Sequence, residues 1–253
     1  VCLVLPADHV IGDAARFAAA LSAGARHVTE EGGLLTFGIR PTRPETGFGY
    51  LEVGAEHRVV DGFAVHRLER FVEKPDRDTA AGYLSHGGHL WNSGMFAWRS
   101  AELVAEIARQ LPELAEGLAE IAAALRREDR ERVVEAVYPT LERTSVDFGI
   151  MEGARRCWTL PVDFPWSDVG SWPALAEVLE ADASGNVDRG RVVTVDCHGN
   201  ILVSEGPAIA AVGLCEHVVV ATADAVLVAP LGDSQRVKEL VAELERRGWG
   251  ELL

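Results

Sequence analysis

The chain has 253 residues, of which 48% are hydrophobic, so it can bury a sizeable core. Its 39 acidic residues outweigh 24 Lys and Arg residues to give a net charge of −15, which argues against nucleic acid or an anionic membrane surface as a partner. No apolar run reaches the ~18 residues of a membrane span, and four scattered cysteines without CxxC spacing favour a cytoplasmic protein without a zinc site or disulfides.

The first part of the chain alternates strand and helix patterns. The opening run VCLVLPAD (1–8) has no polar alternation, which predicts a strand covered on both faces, as in a parallel sheet. The Ala-rich stretch that follows predicts a helix stopping at Gly24. LLTFGI (34–39) and AVHRLERFVEKP (64–75) predict two further strands. This alternation indicates an α/β sheet.

A helical excursion follows the strands. Between residues 101 and 143, apolar residues recur at spacings of three and four, which predicts amphipathic helices, one of them opening at Pro112. The α/β pattern continues to residue 182, and we expect one domain over residues 1–182.

The composition changes at a turn-rich stretch near Asp182 to Asp188. Beyond it, short Val, Ile and Leu runs recur at ~8–12-residue spacing, which is typical of a small all-β module. A closing helix ends at Gly248. We therefore predict a second, β-rich domain over residues 183–253, with no catalytic constellation of its own.

Two acidic residues are candidate metal ligands. Asp8 follows the first predicted strand, where open α/β sheets place their ligands, and a carboxylate there suits Mg²⁺. Capping of the next turn is an equally good interpretation of Asp8. Asp168, in FPWSDVGSW, lies between Trp166 and Gly170, which suggests a carboxylate in a shaped cavity. A turn in which Asp168 bonds its own backbone is the alternative.

Three other segments carry candidate ligand-binding groups. Gly47 and Gly49 in RPETGFGYLEVG would let backbone N–H groups approach a polar ligand, although a hairpin turn explains them equally well. Glu73 and Lys74 in RFVEKP offer an acceptor for hydroxyls and a cation for phosphate, or form an exposed ion pair. Asn92 in WNSGMFAWR lies in a polar notch between apolar residues, or in a turn at the start of a strand.

Six segments in fixed order carry a family resemblance. They are LPADHVI, FGIRPTRPETGFGYLEVG, RFVEKPD, WNSGMFAWR, SVDFGIMEG and FPWSDVGSW. Together they resemble the mannose-1-phosphate guanylyltransferase (GDP-mannose pyrophosphorylase) family, and the stretch VVVATADAVLVAPLGDSQRVKELVAEL resembles that family's β-helical tail. The resemblance implies a nucleotidyltransferase-type, Rossmann-like mixed sheet followed by a small β-helix-like module. It also implies GMP transfer from GTP to mannose 1-phosphate, giving GDP-mannose and pyrophosphate with Mg²⁺ as cofactor.

The resemblance also implies roles for particular residues. Asp8 and Asp168 would hold Mg²⁺. Lys74 would contact the sugar phosphate and would be catalytic together with the two metal ligands. The mannose hydroxyls would be bound by Glu73, Asn92 and the backbone of Gly47 and Gly49, and Asp147 would be a further acid facing the substrate, without a more specific role.

One departure from the family concerns the nucleotide. The family's glycine-rich GGxGxRLxPLSR-type loop is not found in these residues, so we expect the sheet to lack its first βα units and the GTP contacts they supply. Two alternatives follow: a non-catalytic sugar-phosphate or nucleotide-sugar binding homologue or subunit, and a nucleotidyltransferase for another hexose 1-phosphate. A homodimer formed through the β-rich tail is a candidate assembly.

Overall fold

The computed structural model describes residues 1–252, and of Glu177, Ser234 and Gln235 it describes the backbone alone. The described chain divides into two compact units. The first consists of Val1–Ala7 and Ile11–Pro165, and the second of Asp8–Val10 and the chain from Trp166 onward. The domain boundary at residue 182 stays a prediction from sequence.

The segment of residues 1–167 contains eight strands and six α-helices. Its strands are β1 (Cys2–Val4), β2 (Val10–Ile11), β3 (Leu34–Ile39), β4 (Tyr50–Val60), β5 (Phe63–Val72), β6 (His89–Trp98), β7 (Cys157–Val162) and β8 (Trp166–Ser167). Its helices are α1 (Ala14–Glu31), α2 (Arg77–His86), α3 (Ser100–Gln110), α4 (Pro112–Ala124), α5 (Arg130–Val137) and α6 (Val146–Gly149). No helix of the described chain combines the length and the apolar character required to cross a bilayer.

The first unit is built on a six-stranded mixed sheet in the order β1-β6-β3-β7-β5-β4. β3 lies between a parallel partner, β7, and an antiparallel one, β6, and every residue of β3 is buried. The predicted strands LLTFGI and AVHRLERFVEKP are thus confirmed as β3 and β5. The predicted α/β class with a mixed sheet is confirmed as well.

The first strand differs from its prediction. β1 lies at one end of the sheet and pairs antiparallel with β6, with Cys2 opposite Trp98. Its side chains are exposed, Leu3 by 40% and Val4 by 42%. The prediction of a strand covered on both faces is therefore wrong for the described residues, because an apolar run favours a strand without specifying its neighbours.

Helix α1 also differs, since it continues through Gly24 to Glu31 and ends where Gly32 adopts a φ of 72°. A Cβ atom on Gly24 would lie 2.7 Å from Cζ of Phe37 on β3. Gly24 therefore marks the place where the helix packs closely on the sheet, and Gly32 is the stop.

The predicted helical excursion is confirmed as α3, α4 and α5, and Pro112 is the first residue of α4. Leu103 and Ile107 of α3 pack against the apolar core formed by buried side chains of the sheet. The short α6 follows, capped by the Ser145 hydroxyl, which accepts the Phe148 N–H at 3.3 Å.

The second unit is dominated by parallel strands. These are β9 (Val187–Arg189), β10 (Val192–Val195), β11 (Ile201–Ser204), β12 (Ile209–Val212), β13 (His217–Ala221) and β14 (Val226–Pro230), accompanied by α7 (Trp172–Val178) and α8 (Val237–Arg247). β9, β11 and β13 pair in parallel, and so do β10 and β12. Buried Asn200 donates to the Leu214 carbonyl and to Oδ1 of Asn186, which ties successive turns together. The predicted β-helix-like module is confirmed.

Candidate functional site

A bulge in β6 shapes the candidate site of the first unit. Thr36 of β3 lies opposite Phe96, but Gly38 lies opposite Asn92, so three residues of β6 (93–95) face a single residue of β3. Gly94 takes a φ of 70° within this bulge, a conformation that glycine adopts without strain.

Hydroxyl groups close the bulge. Ser93 Oγ donates to the Phe37 carbonyl at 2.6 Å and accepts the Met95 N–H at 3.2 Å. Thr36 Oγ1 lies 2.8 Å from Oδ1 of Asn92. These hydrogen bonds fix the position of Asn92 on β6.

Four of the candidate residues come together beside this bulge. Asn92 Nδ2 donates to Asp147 Oδ1 at 2.9 Å. Lys74 Nζ lies 3.3 Å from Oε1 of Glu73, and the charge of Asp147 acts on Glu73. We call Glu73, Lys74, Asn92 and Asp147 the polar cluster; it combines two carboxylates, one amide and one ammonium group.

Gly49 joins the polar cluster through its backbone. Its carbonyl accepts the Asn92 N–H at 2.8 Å, and a Cβ atom at this position would lie 2.5 Å from Oε2 of Glu73 and force that carboxylate to shift. Gly47 behaves differently, because it is exposed and its N–H donates to Oε1 of Glu45 at 3.0 Å. A ligand contact by Gly47 stays a prediction.

The two carboxyl groups of the polar cluster hold protons more tightly than usual. Burial raises the pKa of Glu73, and the nearby Asp147 charge raises it further, while Lys74 opposes the shift. Burial also raises the pKa of Asp147, against the hydrogen bond from Asn92. A carboxylate that is partly shielded from water in this way is a strong hydrogen-bond acceptor for a ligand hydroxyl.

Lys74 has an unusual backbone. Its φ is 47° although it is not a glycine and although Pro75 follows, a position where extended conformations are preferred. Its side chain is 59% exposed. Strain of this kind is concentrated at ligand-binding sites, so the conformation supports the interpretation of Lys74 as a ligand contact.

Asp8 and Asp168 lie in the second unit, near the same imidazole. Trp166 Nε1 donates to Nδ1 of His9 at 3.1 Å, with the two rings nearly perpendicular. Burial lowers the pKa of His9, and the charges of Asp8 and Asp168 both oppose that shift. Both predicted metal ligands are thus near enough to His9 for their charges to act on it.

The Asp168 turn is held by its own side chains. Asp168 Oδ1 accepts the Gly170 N–H at 3.0 Å, and Ser167 Oγ accepts the Val169 N–H at 3.2 Å. Val169 has a φ of 50°, an outlier for a β-branched residue. Asp168 therefore does bond the backbone of its own turn, as the alternative interpretation expects. The turn also contains backbone strain at Val169, which ordinary turns do not need.

The donor set around His9 suits a hard cation. Among residues 1–252 no group of three or more His, Cys, Asp or Glu side chains could hold a metal ion. Two carboxylates, Asp8 and Asp168, are nevertheless the usual protein share of a Mg²⁺ site, whose other ligands are waters and substrate phosphates. The residues fit this cofactor.

Sequence reasoning missed several residues next to the candidate site. Arg43 pairs with Glu45 at 3.2 Å and stacks 5.4 Å above the ring of Trp91, which braces the segment carrying Gly47. Thr36, fully buried, bonds Asn92. The sequence feature that could have identified Thr36 is that it is a polar residue within the apolar run LLTFGI.

Comparisons with known proteins agree with this architecture. A family model described as Nucleotidyl transferase matches residues 1–185, and one described as MannoseP isomerase/GMP-like beta-helix domain matches residues 190–244. The two matches divide the chain into a sheet part and a β-helical part.

Individual relatives carry related names. Xanthan biosynthesis protein XanB of Xanthomonas campestris pv. campestris (strain B100) is 41% identical over 250 residues, which cover 98% of this chain and 52% of that protein. Mannose-1-phosphate guanylyltransferase 2 of Escherichia coli O157:H7 is 36% identical over 247 residues, covering 96% of this chain and 51% of that protein. The chain spans about half the length of these curated relatives.

A solved structure extends the similarity to the fold. The structure named mannose-1-phosphate geranyltransferase, from Thermus thermophilus, matches with a TM-score of 0.82 and 36% identity, covering 96% of this chain and 69% of that one. The chain belongs to the nucleotidyl transferase family, and its resemblance to mannose-1-phosphate guanylyltransferases is confirmed.

Proposed function

We propose that the chain carries the sugar-phosphate and metal-binding residues of a mannose-1-phosphate guanylyltransferase. In this reaction a phosphate oxygen of mannose 1-phosphate attacks the α-phosphorus of GTP, the bond to the β-phosphate oxygen breaks, and pyrophosphate leaves. The products are GDP-mannose and pyrophosphate. The convergence of Glu73, Lys74, Asn92 and Asp147 on the Gly49 backbone carries the proposal.

The polar cluster supplies what a phosphorylated sugar requires. The carboxylates of Glu73 and Asp147 accept hydrogen bonds from hydroxyl groups, and the Asn92 amide donates one. Gly49 lets the Glu73 carboxylate pack directly against the backbone, because a side chain at this position would displace Glu73. Such polar contacts orient the substrate, and orientation provides much of the rate in phosphoryl transfer.

Lys74 supplies the cation. Its ammonium group is exposed and is anchored at one side by Glu73, so it can turn towards an incoming phosphate while staying near the cluster. The chain has only two lysines, Lys74 and Lys238, and a net charge of −15. Attraction of an anionic substrate must therefore come from local cations rather than from the field of the whole chain.

Asp8 and Asp168 would hold Mg²⁺ through carboxylate oxygens. When bound, Mg²⁺ neutralises phosphate charge and so favours displacement at phosphorus. The charges of both carboxylates act on His9, and the Trp166 indole holds the His9 ring. These roles, like the activity itself, belong to the proposal.

Lysine NMR tests the sugar-phosphate site directly. Reductive ¹³C-methylation of the 253-residue chain labels both lysines, and each signal is assigned by Lys74→Met or Lys238→Met. We expect mannose 1-phosphate to shift the Lys74 signal and to leave the Lys238 signal in place. Absence of any Lys74 shift up to millimolar ligand would contradict the assignment.

Pyrophosphate release separates the two alternatives. The chain is incubated with Mg²⁺, GTP and either mannose 1-phosphate or glucose 1-phosphate. Release with mannose 1-phosphate supports the proposal. Preferential release with glucose 1-phosphate would indicate another hexose, and a Lys74 shift without release would show that these residues bind the sugar phosphate without catalysing the transfer by themselves. The homodimer stays a prediction, which light scattering can check.

A further inference from the structure

The amide of Asn92 is held on both sides. On one side Nδ2 donates to Asp147 Oδ1 at 2.9 Å, and on the other Oδ1 lies 2.8 Å from Thr36 Oγ1. Thr36 is fully buried on the central strand β3, so its hydroxyl has no solvent to bond. The Thr36 O–H also lies 3.3 Å from the Met95 carbonyl, a longer and weaker option.

The two partners demand the same orientation of the amide. If the amide were reversed, Asn92 Oδ1 would face Asp147 Oδ1, and two acceptors would lie at hydrogen-bond distance without a proton between them. The Thr36 hydroxyl satisfies Oδ1 in the observed orientation. Without that hydroxyl, Oδ1 would lose its bond in a partly buried place, which favours rotation of the whole side chain.

We infer that Thr36 is a positioning residue that fixes the Asn92 amide with its nitrogen towards the polar cluster. An amide nitrogen carries two N–H groups, and Asp147 uses one of them. The second N–H then serves as a donor to a ligand hydroxyl, beside the remaining oxygen of Asp147 as an acceptor. The cluster thus presents a donor and an acceptor side by side, which suits adjacent hydroxyl groups of a sugar. The ligand part of this inference rests on the proposed function.

The chain offers a matched control for the Thr36 hydroxyl. Thr159 lies opposite Thr36 in the parallel pairing of β3 with β7 and is equally buried. Its hydroxyl has no hydrogen-bond partner within the part of the chain that the structure describes. Thr36→Val and Thr159→Val therefore remove the same atoms from neighbouring places, and only the first removes a bond to Asn92. Thr36→Ser keeps the hydroxyl.

Isotope labelling of asparagine allows hydrogen exchange of the Asn92 side-chain amide to be measured directly. The chain contains three asparagines, Asn92, Asn186 and Asn200, so side-chain ¹⁵N labelling gives three NH₂ signals. Asn186 and Asn200 are buried in the second unit and serve as internal references. In Thr36→Val we expect the Asn92 NH₂ protons to exchange with water about tenfold faster, the size of effect that loss of one buried bond produces. Thr36→Ser and Thr159→Val should match the parent chain.

Binding is measured on the same proteins by calorimetry with mannose 1-phosphate. We expect the Kd to rise about tenfold in Thr36→Val and to stay within about twofold in the other two variants. Unchanged Asn92 exchange in Thr36→Val, or equal changes in Thr159→Val, would overturn the positioning role. If the parent chain does not bind mannose 1-phosphate while the exchange effect is present, the proposed ligand is wrong and the positioning role of Thr36 stands.

Discussion

A Cβ atom on Gly49 would lie 2.5 Å from Oε2 of Glu73, closer than two such atoms ever approach. The same Cβ would also lie 3.2 Å from Cζ of Phe71 and 3.3 Å from Cβ of Asn92. A side chain at position 49 would force the Glu73 carboxylate away from its observed position. Gly49 and Glu73 therefore occupy their positions as a pair.

Gly49→Ala should weaken binding of mannose 1-phosphate about tenfold or more, because a displaced carboxylate no longer meets the ligand hydroxyl. Calorimetry on the 253-residue chain measures the effect. Gly82→Ala is the control, since a Cβ atom there meets nothing within 4 Å and lies in α2. That control should bind normally and gain ~0.5–1 kcal/mol of stability. Normal binding by Gly49→Ala would remove Glu73 from the ligand contacts.

Glu73→Gln should stabilise the fold at neutral pH while weakening ligand binding. Because the folded chain raises the pKa of Glu73, its ionised form opposes folding at every pH above that pKa. The penalty disappears as pH falls below the unfolded-state pKa, where Glu73 is protonated in both states. We expect the melting temperature to rise by ~2–4 °C at pH 7, corresponding to ~1 kcal/mol.

The pH dependence distinguishes this cause from a packing change. Thermal unfolding at pH 7 and near pH 4 should show the advantage of Glu73→Gln shrinking as the solution becomes more acidic. Glu69→Gln is the control, because Glu69 is exposed on the same strand, β5. An advantage of equal size at both pH values would contradict the electrostatic explanation.

Asp8→Asn and Asp168→Asn should each weaken binding of Mn²⁺, used as a paramagnetic substitute for Mg²⁺, by about tenfold or more, because each removes a charged ligand. Electron paramagnetic resonance of free Mn²⁺ measures the affinity. Glu205→Gln changes an exposed acidic residue of the second unit and should leave the affinity for Mn²⁺ unaltered. Equal affinity in all three variants would place the metal elsewhere.

His27→Leu should flatten the acid sensitivity of the fold. His27 is fully buried in α1 against Trp158 and His57, and burial lowers its pKa from 6.5 to about 4, with His57 and Arg58 adding to the shift and Glu30 and Glu31 opposing it. Between these two pH values His27 is protonated in the unfolded chain but remains neutral in the folded chain. Stability is therefore lost as pH falls from 6.5 towards 4.

Urea unfolding at pH 7, 5.5 and 4.5 measures this loss. The parent chain and the exposed-site control His86→Gln should weaken with acidity to the same extent, whereas His27→Leu should weaken less. A parallel decline in all three would assign the acid sensitivity to other groups.

Strands that consist of a short apolar run could be predicted from the sequence pattern. LLTFGI became the fully buried β3, and each short apolar run after residue 190 became a strand of the second unit. β9 was missed because VDR lies inside a turn-rich stretch, and only its pairing with β11 makes it a strand.

Features that depend on tertiary contacts could not be predicted in the same way. Glycine often ends a helix, but Gly24 lies inside α1, where it packs closely against Phe37. Those two residues are thirteen positions apart. Thr36 and Asn92 are 56 positions apart, and their hydrogen bond exists because β6 bulges opposite β3. Motif order predicted the candidate ligand contacts, but only the fold could show which hydroxyl bonds Asn92.

The assignment of Asp8–Val10 to the second unit affects how the chain can be divided and assembled. A fragment starting at Trp166 would be missing His9, to which the Trp166 indole donates. The two residues are 157 positions apart, so their meeting requires closure of a long loop and follows rather than precedes local folding. Proteolysis after Pro165 would therefore leave part of the second unit attached to the other piece of chain. Expression of the β-rich part alone calls for a short peptide spanning residues 8–10, supplied in trans.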